Sequence, residues 1–381
     1  MATAYAKINP AMLNWAQQRA QLSFTALADK LKVSEEKLYA WASGDKPLTF
    51  RQAQTFASKT HVPFGYLFLQ HPPEDRLPLP DLRAVGGRQR KQPSAELLDI
   101  VKIVLQRQSW YQEYMAEQLV LPPDFIGRFT VRTPYQKIVN DMRQKLGVGE
   151  YPVRGKWEDY YRDLVDRIEN AGVMVMRESF LNHWTRPFNA DEFRGFAIAD
   201  DQAPLIFINH ADWPSARLFT LIHELCHIWL GVTGISDGDP SNKRQEEILC
   251  NQVAAEFLVP SEEFEQLWRD DFSVWTENIA GLKAHFHVSS WVIARRALIL
   301  GKIDLQTYRD FIQAQEKAFR NREKKETPIS SYRVRKSQLS TRFARAVATE
   351  ALNGKILLRD AGRLLNIKPD KIKTFAKALG I

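Results

Sequence analysis

The chain has 381 residues, of which 44% are hydrophobic and 26% are charged, and its formal net charge is +8. This length normally gives two or three domains, and the composition is typical of a globular protein rather than of a disordered or fibrous chain. No apolar run approaches the roughly 18 residues of a membrane span, the N-terminus lacks a signal-peptide pattern, and two cysteines form no disulfide framework, so we expect a cytoplasmic protein without a membrane segment.

The first predicted domain, residues 1–70, has short amphipathic segments in the rhythm of a helix-turn-helix. The turn between two of these segments ends at Ser34, a good N-cap for the second helix. In a DNA reader this second helix enters the major groove, and Lys37 is its candidate for contacting DNA or a partner. Glu35 and Glu36 would stand close to phosphates there, which opposes DNA binding. A module used for dimerisation or partner contact is therefore the alternative.

Residues 71–93 are rich in proline and glycine, which interrupt regular structure, and are predicted to be a linker. The next predicted domain, residues 94–315, begins with helical periodicity. Its first three helices are predicted at Ala95–Leu119, Pro134–Leu146 and Lys156–Asn170.

Three short apolar segments between Ala171 and Asn209 then predict three strands. They are Gly172–Met176, Gly195–Ala199 and Pro204–Asn209. An edge of this small sheet could hold an extended substrate peptide by β-augmentation. The side chains that could line the substrate cleft at this edge are those of His183, Trp184 and His210. The alternative for His210 is an ordinary surface turn.

The segment Leu221–Trp229 contains the pattern H-E-x-x-H. The apolar residues between Pro214 and this segment recur at helical spacing, so the segment is predicted to lie on a helix. Its two histidines are four positions apart and therefore project from one face of that helix. His223 and His227 can then bind one metal ion, and Glu224 can take a proton from water at that ion. An amphipathic helix with half-buried histidines is the alternative.

A catalytic zinc site needs a third protein ligand and one open position. A second helical stretch begins at Glu246 and Glu247 and is stopped by Pro260. Glu247 lies 20 positions after His227, far enough for a loop to turn the chain back. We prefer Glu247 as the ligand, because Cys250 lies one turn further on its face, whereas Glu246 points about 100° away.

These motifs resemble the ImmA/IrrE family of bacterial metallo-endopeptidases. The resemblance is carried by H-E-L-C-H, by the run E-x-x-C-N-Q-V-A-A-E-F-L-V-P from Glu247 to Pro260, and by Phe286–Leu298. Segments Pro63–Leu69 and Leu77–Arg83 resemble family members that carry an N-terminal XRE-type helix-turn-helix. The resemblance covers roughly residues 10–315 and leaves the tail outside.

The family resemblance implies a gluzincin-like site in which His223, His227 and Glu247 hold one zinc ion and Glu224 is the general base. Arg296 could stabilise an oxyanion, although a structural role is the simpler interpretation.

Most family members place a small Gly or Ala where Cys226 and Cys250 stand. The simpler interpretation is two small core residues in a reduced cytosol. The alternative is a redox pair that cross-links the two metal-bearing helices or competes for the metal.

Residues 316–381 are predicted to be a basic helical C-terminal domain. From Lys317 onward the chain has 17 Lys and Arg against 5 Asp and Glu, whereas the preceding residues have 36 against 40. A second helix-turn-helix rhythm is centred on Asn366–Lys368. The candidates for DNA or partner contact here are Arg363, Lys368, Lys371, Lys373 and Lys377. Such a segment favours nucleic acid first and an acidic protein second, with a solvated linker whose helices happen to be basic as the remaining alternative.

Together these elements predict a mainly helical α+β protein with a small three-stranded sheet. The function that the resemblance favours is a transcriptional regulator, similar to an antitoxin, that carries a zinc metallopeptidase site and binds a specific partner protein, either as a scaffold alone or with cleavage of that partner. The alternative is a stress- or signal-activated protease that cleaves a separate DNA-binding repressor. The expected partners are a cognate toxin or repressor, DNA, and a second copy of the chain in a homodimer.

Overall fold

A computed structural model describes residues 4–82, 92–182, 185–236, 244–271, 274–320 and 338–381. The described residues are mostly helical with two small sheets, so the predicted α+β class is confirmed. Within these ranges no helix is both long and apolar enough to cross a membrane. The chain divides into two compact units, Met1–Pro78 with Arg90–Ile103 and Leu79–Gln89 with Val104–Ile381.

The first unit is a small helical bundle. Its elements are β1 (Tyr5–Ala6), α1 (Pro10–Arg19), α2 (Phe24–Leu31), α3 (Glu35–Ser43), β2 (Leu48–Thr49), α4 (Phe50–Thr60) and a 3-10 turn at Phe64–Phe68. The two strands pair antiparallel. Leu27, Leu38, Trp41 and Phe56 are buried at its centre, so each helix contributes one apolar face.

Helices α2 and α3 are two short helices separated by a three-residue turn, at the position where the sequence predicts a helix-turn-helix. Ser23 and Ser34 cap them by accepting hydrogen bonds from backbone N–H groups, an interaction that contributes about 1 kcal/mol in a typical helix. Helix α2 ends at Lys32 in the left-handed conformation, with φ at 55°. The N-cap predicted at Ser34 is confirmed.

The second unit is built on a helical scaffold around one sheet. Its helices before the tail are α5 (Ala95–Glu117), which begins in the first unit, α6 (Tyr135–Leu146), α7 (Trp157–Asn170), α8 (Pro214–Leu230), α9 (Gln245–Leu258), α10 (Ser261–Leu267), α11 (Glu277–Phe286), α12 (Ser290–Ile299) and α13 (Leu305–Arg320). Helix α8 packs against the sheet and against α9. Arg143 on α6 donates to the carbonyls of Glu256 and Phe257 and so ties α6 to the end of α9.

The sheet has four strands among the described residues, one more than predicted. They are β3 (Met174–Glu178), β4 (Gly195–Ile198), β5 (Leu205–Asn209) and β6 (Gly234–Ser236), in the order β3-β5-β4-β6. Strands β3 and β5 are parallel, and β4 is antiparallel to both of its neighbours. The missed strand, β6, follows α8 and has three residues, too few for an alternating pattern to reveal it.

The described part of the tail folds as a three-helix module. It consists of α14 (Thr341–Leu352), α15 (Leu358–Leu365), a 3-10 turn at Pro369–Lys371 and α16 (Ile372–Leu379). Phe343, Val347, Leu365, Ile372 and Phe375 are buried in it.

Buried polar contacts hold this module on the second unit. Arg107 on α5 donates to the carbonyl of Leu364 at 3.0 Å and to the carboxylate of Glu178 at 2.9 Å. The carboxylate of Glu169 accepts from the backbone N–H of Thr341 at the start of α14. Residues 338–381 are therefore a packed module rather than a solvated linker, and whether its basic helices bind an anion stays a prediction. Residues 321–337 lie outside the described residues.

Candidate metal centre

Helix α8 positions the H-E-x-x-H residues inside the second unit. Pro214 occupies its first turn, and Gly231, with φ at 68°, ends it in the left-handed conformation that suits glycine. All residues from Thr220 to Leu230 are buried, because the sheet covers one side of the helix and α9 the other. The H-E-x-x-H residues therefore lie in the protein interior rather than on a half-exposed helix.

The two histidines meet Glu247 on α9 in a compact triangle. The Nε2 atoms of His223 and His227 are 3.1 Å apart, and each lies 3.2 Å from a carboxylate oxygen of Glu247. In the part of the chain that the structure describes, this is the one group of three such side chains placed to hold a metal ion.

The size of this triangle fits a tetrahedral zinc ion. Zinc binds imidazole nitrogen and carboxylate oxygen at about 2.0–2.1 Å, and tetrahedral angles then place neighbouring ligand atoms about 3.3 Å apart. The observed separations of 3.1 and 3.2 Å are close to that value. Two imidazoles and one carboxylate are also the donor set that suits zinc, and they leave a fourth position open.

Neighbouring polar groups orient the triangle. The Nδ1–H of His223 donates to Oδ1 of Asn251 at 3.1 Å, which leaves Nε2 facing the centre. Burial opposes ionisation of Glu247, but the hydrogen bonds from both imidazoles outweigh it and hold the pKa of its carboxyl well below the ordinary value. The third ligand is thus an anion that compensates the charge of a cation.

Glu224 lies beside the triangle. It is fully buried, and neither carboxylate oxygen makes a hydrogen bond of ordinary length among the described residues, although the nearby Ser236 hydroxyl acts to lower its pKa. Burial, with the charge of Glu247, raises the pKa of Glu224 to about 8. A buried carboxyl without a hydrogen bond of ordinary length is costly unless a ligand completes the site, and a cation nearby favours its charged form.

Strand β4 crosses directly over Glu224. A Cβ atom added at Gly195 would lie 2.9 Å from Cγ2 of Thr220 and 3.1 Å from Cγ of Glu224. Glycine at this position therefore lets the strand approach the helix closely. The sequence predicts Gly195 in a strand but not this close approach to α8. The only local signal for it is a glycine inside an apolar segment.

The structure separates the two adjacent glutamates of α9. Glu247 is 1% exposed and contacts both histidines. Glu246 is partly exposed and lies 3.7 Å from Arg244 in an ion pair. The tertiary structure thus brings together the residues that the sequence preferred, His223, His227 and Glu247.

The edge of the sheet beside the metal centre is occupied by the chain itself. Strand β6 pairs with the outer side of β4, and Ser236 at its end lies 3.5 Å from the carboxylate of Glu247. The backbone of the linker then pairs with β6, through hydrogen bonds of Ile235 with Pro80 and Leu82 at 3.0 Å each. β-Augmentation at β4 or at this part of β6 therefore requires displacement of the protein's own backbone.

The other candidates near the cleft have structural partners. The imidazole of His210 lies 3.2 Å from the hydroxyl of Tyr161, and burial, together with Arg217 and Arg177, lowers the pKa of His210 well below its ordinary value. The guanidinium of Arg296 donates to Glu256 and to Ser261, contacts that account for its burial and favour a structural role. His183 and Trp184 lie outside the described residues.

The two cysteines are neighbours in the interface between α8 and α9. Both are fully buried and neither forms a disulfide. Burial, with a hydrogen bond that the thiol of Cys250 donates to Cys226, raises the pKa of Cys250 well above its ordinary value. Proximity is what the redox hypothesis requires, whereas burial and the raised pKa disfavour the reactive thiolate, so the redox pair stays a prediction.

We expect neither thiol of the folded chain to react with a disulfide reagent within minutes, and both to react after unfolding in guanidinium. The reason is that Cys226 and Cys250 are inaccessible and only a thiolate attacks. The absorbance of the thiol that the reagent releases gives the number of cysteines that have reacted. Rapid reaction of either thiol in the folded chain would contradict the prediction, and loss of zinc after oxidation would favour the redox pair.

The residues that the sequence predicts to contact DNA or a partner lie on α3 and on the C-terminal module. The ammonium of Lys37 lies 5.5 Å from the ring centre of Trp41 on α3. The remaining candidates, Arg363, Lys368, Lys371, Lys373 and Lys377, are all exposed on the C-terminal module.

Comparison with known families gives two matches. Residues 168–298 match the family model of the IrrE N-terminal-like domain, a peptidase family, and residues 339–378 match a domain of unknown function. Neither match includes residues 1–167. A search of curated proteins and of solved structures found no match. The first match contains α8, α9 and the whole residue triangle, and indicates a metallopeptidase-type domain.

Proposed function

We propose that this chain is a zinc-dependent endopeptidase that acts on one specific protein partner in a regulatory system. The observation that carries the proposal is the triangle of His223, His227 and Glu247 beside a buried carboxyl group, that of Glu224, which makes no hydrogen bond of ordinary length among the described residues. A structural metal site has no use for a further unpaired carboxylate, whereas a hydrolytic site requires a base beside its open position.

In this proposal each residue has a distinct task. A zinc ion in the triangle supplies a Lewis acid that acidifies water to a pKa of roughly 7 and polarises a peptide carbonyl. Glu224 accepts the proton of the attacking water and returns it to the leaving amine. Asn251 keeps His223 in the tautomer that presents Nε2, and the surrounding apolar core excludes bulk water.

The burial of the centre supports a narrow substrate range. The exposed fraction is 3% for His223, 1% for Glu247, and zero for Glu224 and His227. A scissile carbonyl would have to reach the space beside Glu224 and the three residues that would hold the zinc, so an incoming chain must displace some of the residues that bury this centre. A partner that binds other surfaces of the protein can supply the energy for this step, whereas an arbitrary peptide cannot.

The regulatory role is proposed in two forms. In the first, the chain acts in the cytoplasm as an antitoxin-like regulator, alone or as a homodimer, that binds a cognate toxin and uses the peptidase domain on it. In the second, it is a signal-activated protease of a separate repressor. The neighbouring reading frame distinguishes the two, since a small toxin-like enzyme favours the first and a standalone repressor the second.

The proposed activity is tested on the purified full chain and on proteins captured with it from its native host. We expect about one zinc ion per chain by mass spectrometry of the metal, and cleavage of one captured partner. A chelator should stop the cleavage and added zinc should restore it, because the triangle is the only hydrolytic centre proposed. Cleavage that continues in metal-free protein would overturn the proposal.

A further inference from the structure

Helices α15 and α16 form a tight helix-turn-helix within the C-terminal module. Helix α15 ends at Asn366 in the left-handed conformation, with φ at 52°, and the N–H of Ile367 donates back to the carbonyl of Gly362. A Cβ atom at Gly362 would lie only 2.8 Å from the carbonyl oxygen of Ile367. The second helix starts with the 3-10 turn Pro369–Lys371 and continues into α16.

The apolar side of this pair is buried against α14. Ala361 and Leu365 on α15, and Ile372 and Phe375 on α16, are at most 2% exposed. Lys373, Thr374 and Lys377 therefore lie on the opposite, exposed side of α16, as the helical period requires. A helix with this arrangement presents one polar face to whatever the module binds.

The exposed surface of the module is strongly basic. Of the nine Lys and Arg in the described range 338–381, eight are exposed, whereas of its three acidic residues only Asp370 is. Lys368, Lys373 and Lys377 form no ion pair with any acidic residue that the structure describes. Cations near the start of a helix oppose its dipole, so Lys368 and Lys371 are poorly explained by helix stability.

In the first unit the corresponding helix, α3, begins with acidic residues where the C-terminal segment has basic ones. Helix α3 begins with Glu35 and Glu36, both exposed, and its one lysine, Lys37, lies over the ring of Trp41. The segment from Lys368 to Lys377 has four cations and one acid. A phosphate backbone would be repelled by the first helix and attracted by the second.

We infer that the C-terminal module, residues 338–381, binds double-stranded DNA, with α16 in the major groove. Lysines on one helical face match regularly spaced phosphates. A protein partner would need large apolar anchors at the centre of the contact. The exposed face of α16 has lysines, Thr374 and the small Ala378 instead, and the exposed large apolar residues of the module lie outside this helix, at Leu352, Leu357, Leu358 and Ile381. The inference deepens the regulatory part of the proposed function and does not depend on the metal centre.

The test uses the full chain and a fluorescent random-sequence 20-base-pair DNA duplex, measured by anisotropy at several salt concentrations. A variant with Lys371→Gln, Lys373→Gln and Lys377→Gln is compared with a matched control carrying Lys30→Gln, Lys46→Gln and Lys59→Gln, three exposed lysines of the first unit. Loss of three phosphate contacts should weaken binding roughly 10- to 100-fold and lower the salt slope by about 3. The control should stay within about twofold of the unchanged chain.

Two results would overturn the inference. One is loss of duplex binding in the control variant but not in the C-terminal variant. The other is binding of polyglutamate as tight as that of the duplex, which would indicate an acidic protein as the partner. Zinc content and circular dichroism of both variants show that they are folded. Because hydrolysis is measured separately, failure of DNA binding and failure of the proposed peptidase activity are distinguishable.

Discussion

Replacing Glu224 with glutamine is expected to leave the zinc content unchanged and to lower partner cleavage roughly 100- to 10,000-fold. Glutamine keeps the size of the side chain, and Glu224 is not among the three residues of the triangle. It cannot take a proton from the attacking water, however, and it cannot return one to the leaving amine. Metal analysis and a time course of partner cleavage measure the two effects on the same preparation.

Glu224→Asp is the matched control for this prediction. It keeps the carboxylate but withdraws it by about one bond length, so we expect activity between that of the unchanged chain and that of the glutamine variant. Full cleavage activity in Glu224→Gln would remove Glu224 from the mechanism. If the variant is inactive in cleavage yet performs the full cellular function, hydrolysis is not the biological role.

The second large effect is expected for Glu247→Gln, with Glu246→Gln as its control. Glu247 supplies the anionic ligand and contacts both histidines, whereas Glu246 pairs with Arg244 near the surface. We expect zinc affinity to fall at least about 100-fold in Glu247→Gln, since changes to groups that merely orient metal ligands already cost roughly 10- to 100-fold. Glu246→Gln should bind zinc as the unchanged chain does.

Thermal unfolding with and without added zinc measures this difference. At a zinc concentration of about 100 times the dissociation constant, binding stabilises a folded protein by roughly 2.7 kcal/mol. The unfolding temperature of the unchanged chain and of Glu246→Gln should therefore rise on zinc addition, and that of Glu247→Gln should not. If the zinc-dependent shift is lost in Glu246→Gln but kept in Glu247→Gln, the third ligand is Glu246 and our assignment is wrong.

The sequence by itself determined the elements whose causes are local. His223 and His227 share a face because a helix repeats every 3.6 residues, and Pro214 and Gly231 bound that helix through their own backbone preferences. Ser34 caps α3 by a hydrogen bond to a residue three positions away. The α+β class followed in the same way, from periodicities within short windows.

The tertiary structure alone decided which distant groups meet. The sequence left Glu246 as an alternative to Glu247, and the packing of α9 on α8 places only Glu247 against the histidines. It also decided that Cys226 and Cys250 are neighbours and that Gly195 lies on Glu224. Sequence spacing cannot show such contacts, because they depend on how separate elements pack.

Two further features depend on packing as well as on local sequence: the sheet edge that the chain itself occupies and the basic face of the tail. The number of lysines in the tail could be counted from the sequence, but their exposure on one face of α16 required the burial of Ile372 and Phe375 against α14. Nothing local predicts that Pro80 and Leu82 pair with Ile235, more than 150 residues away. Local periodicity therefore indicates the histidines of the candidate metal centre. Long-range packing decides which glutamate joins them, which elements bury the centre and which face of α16 is basic.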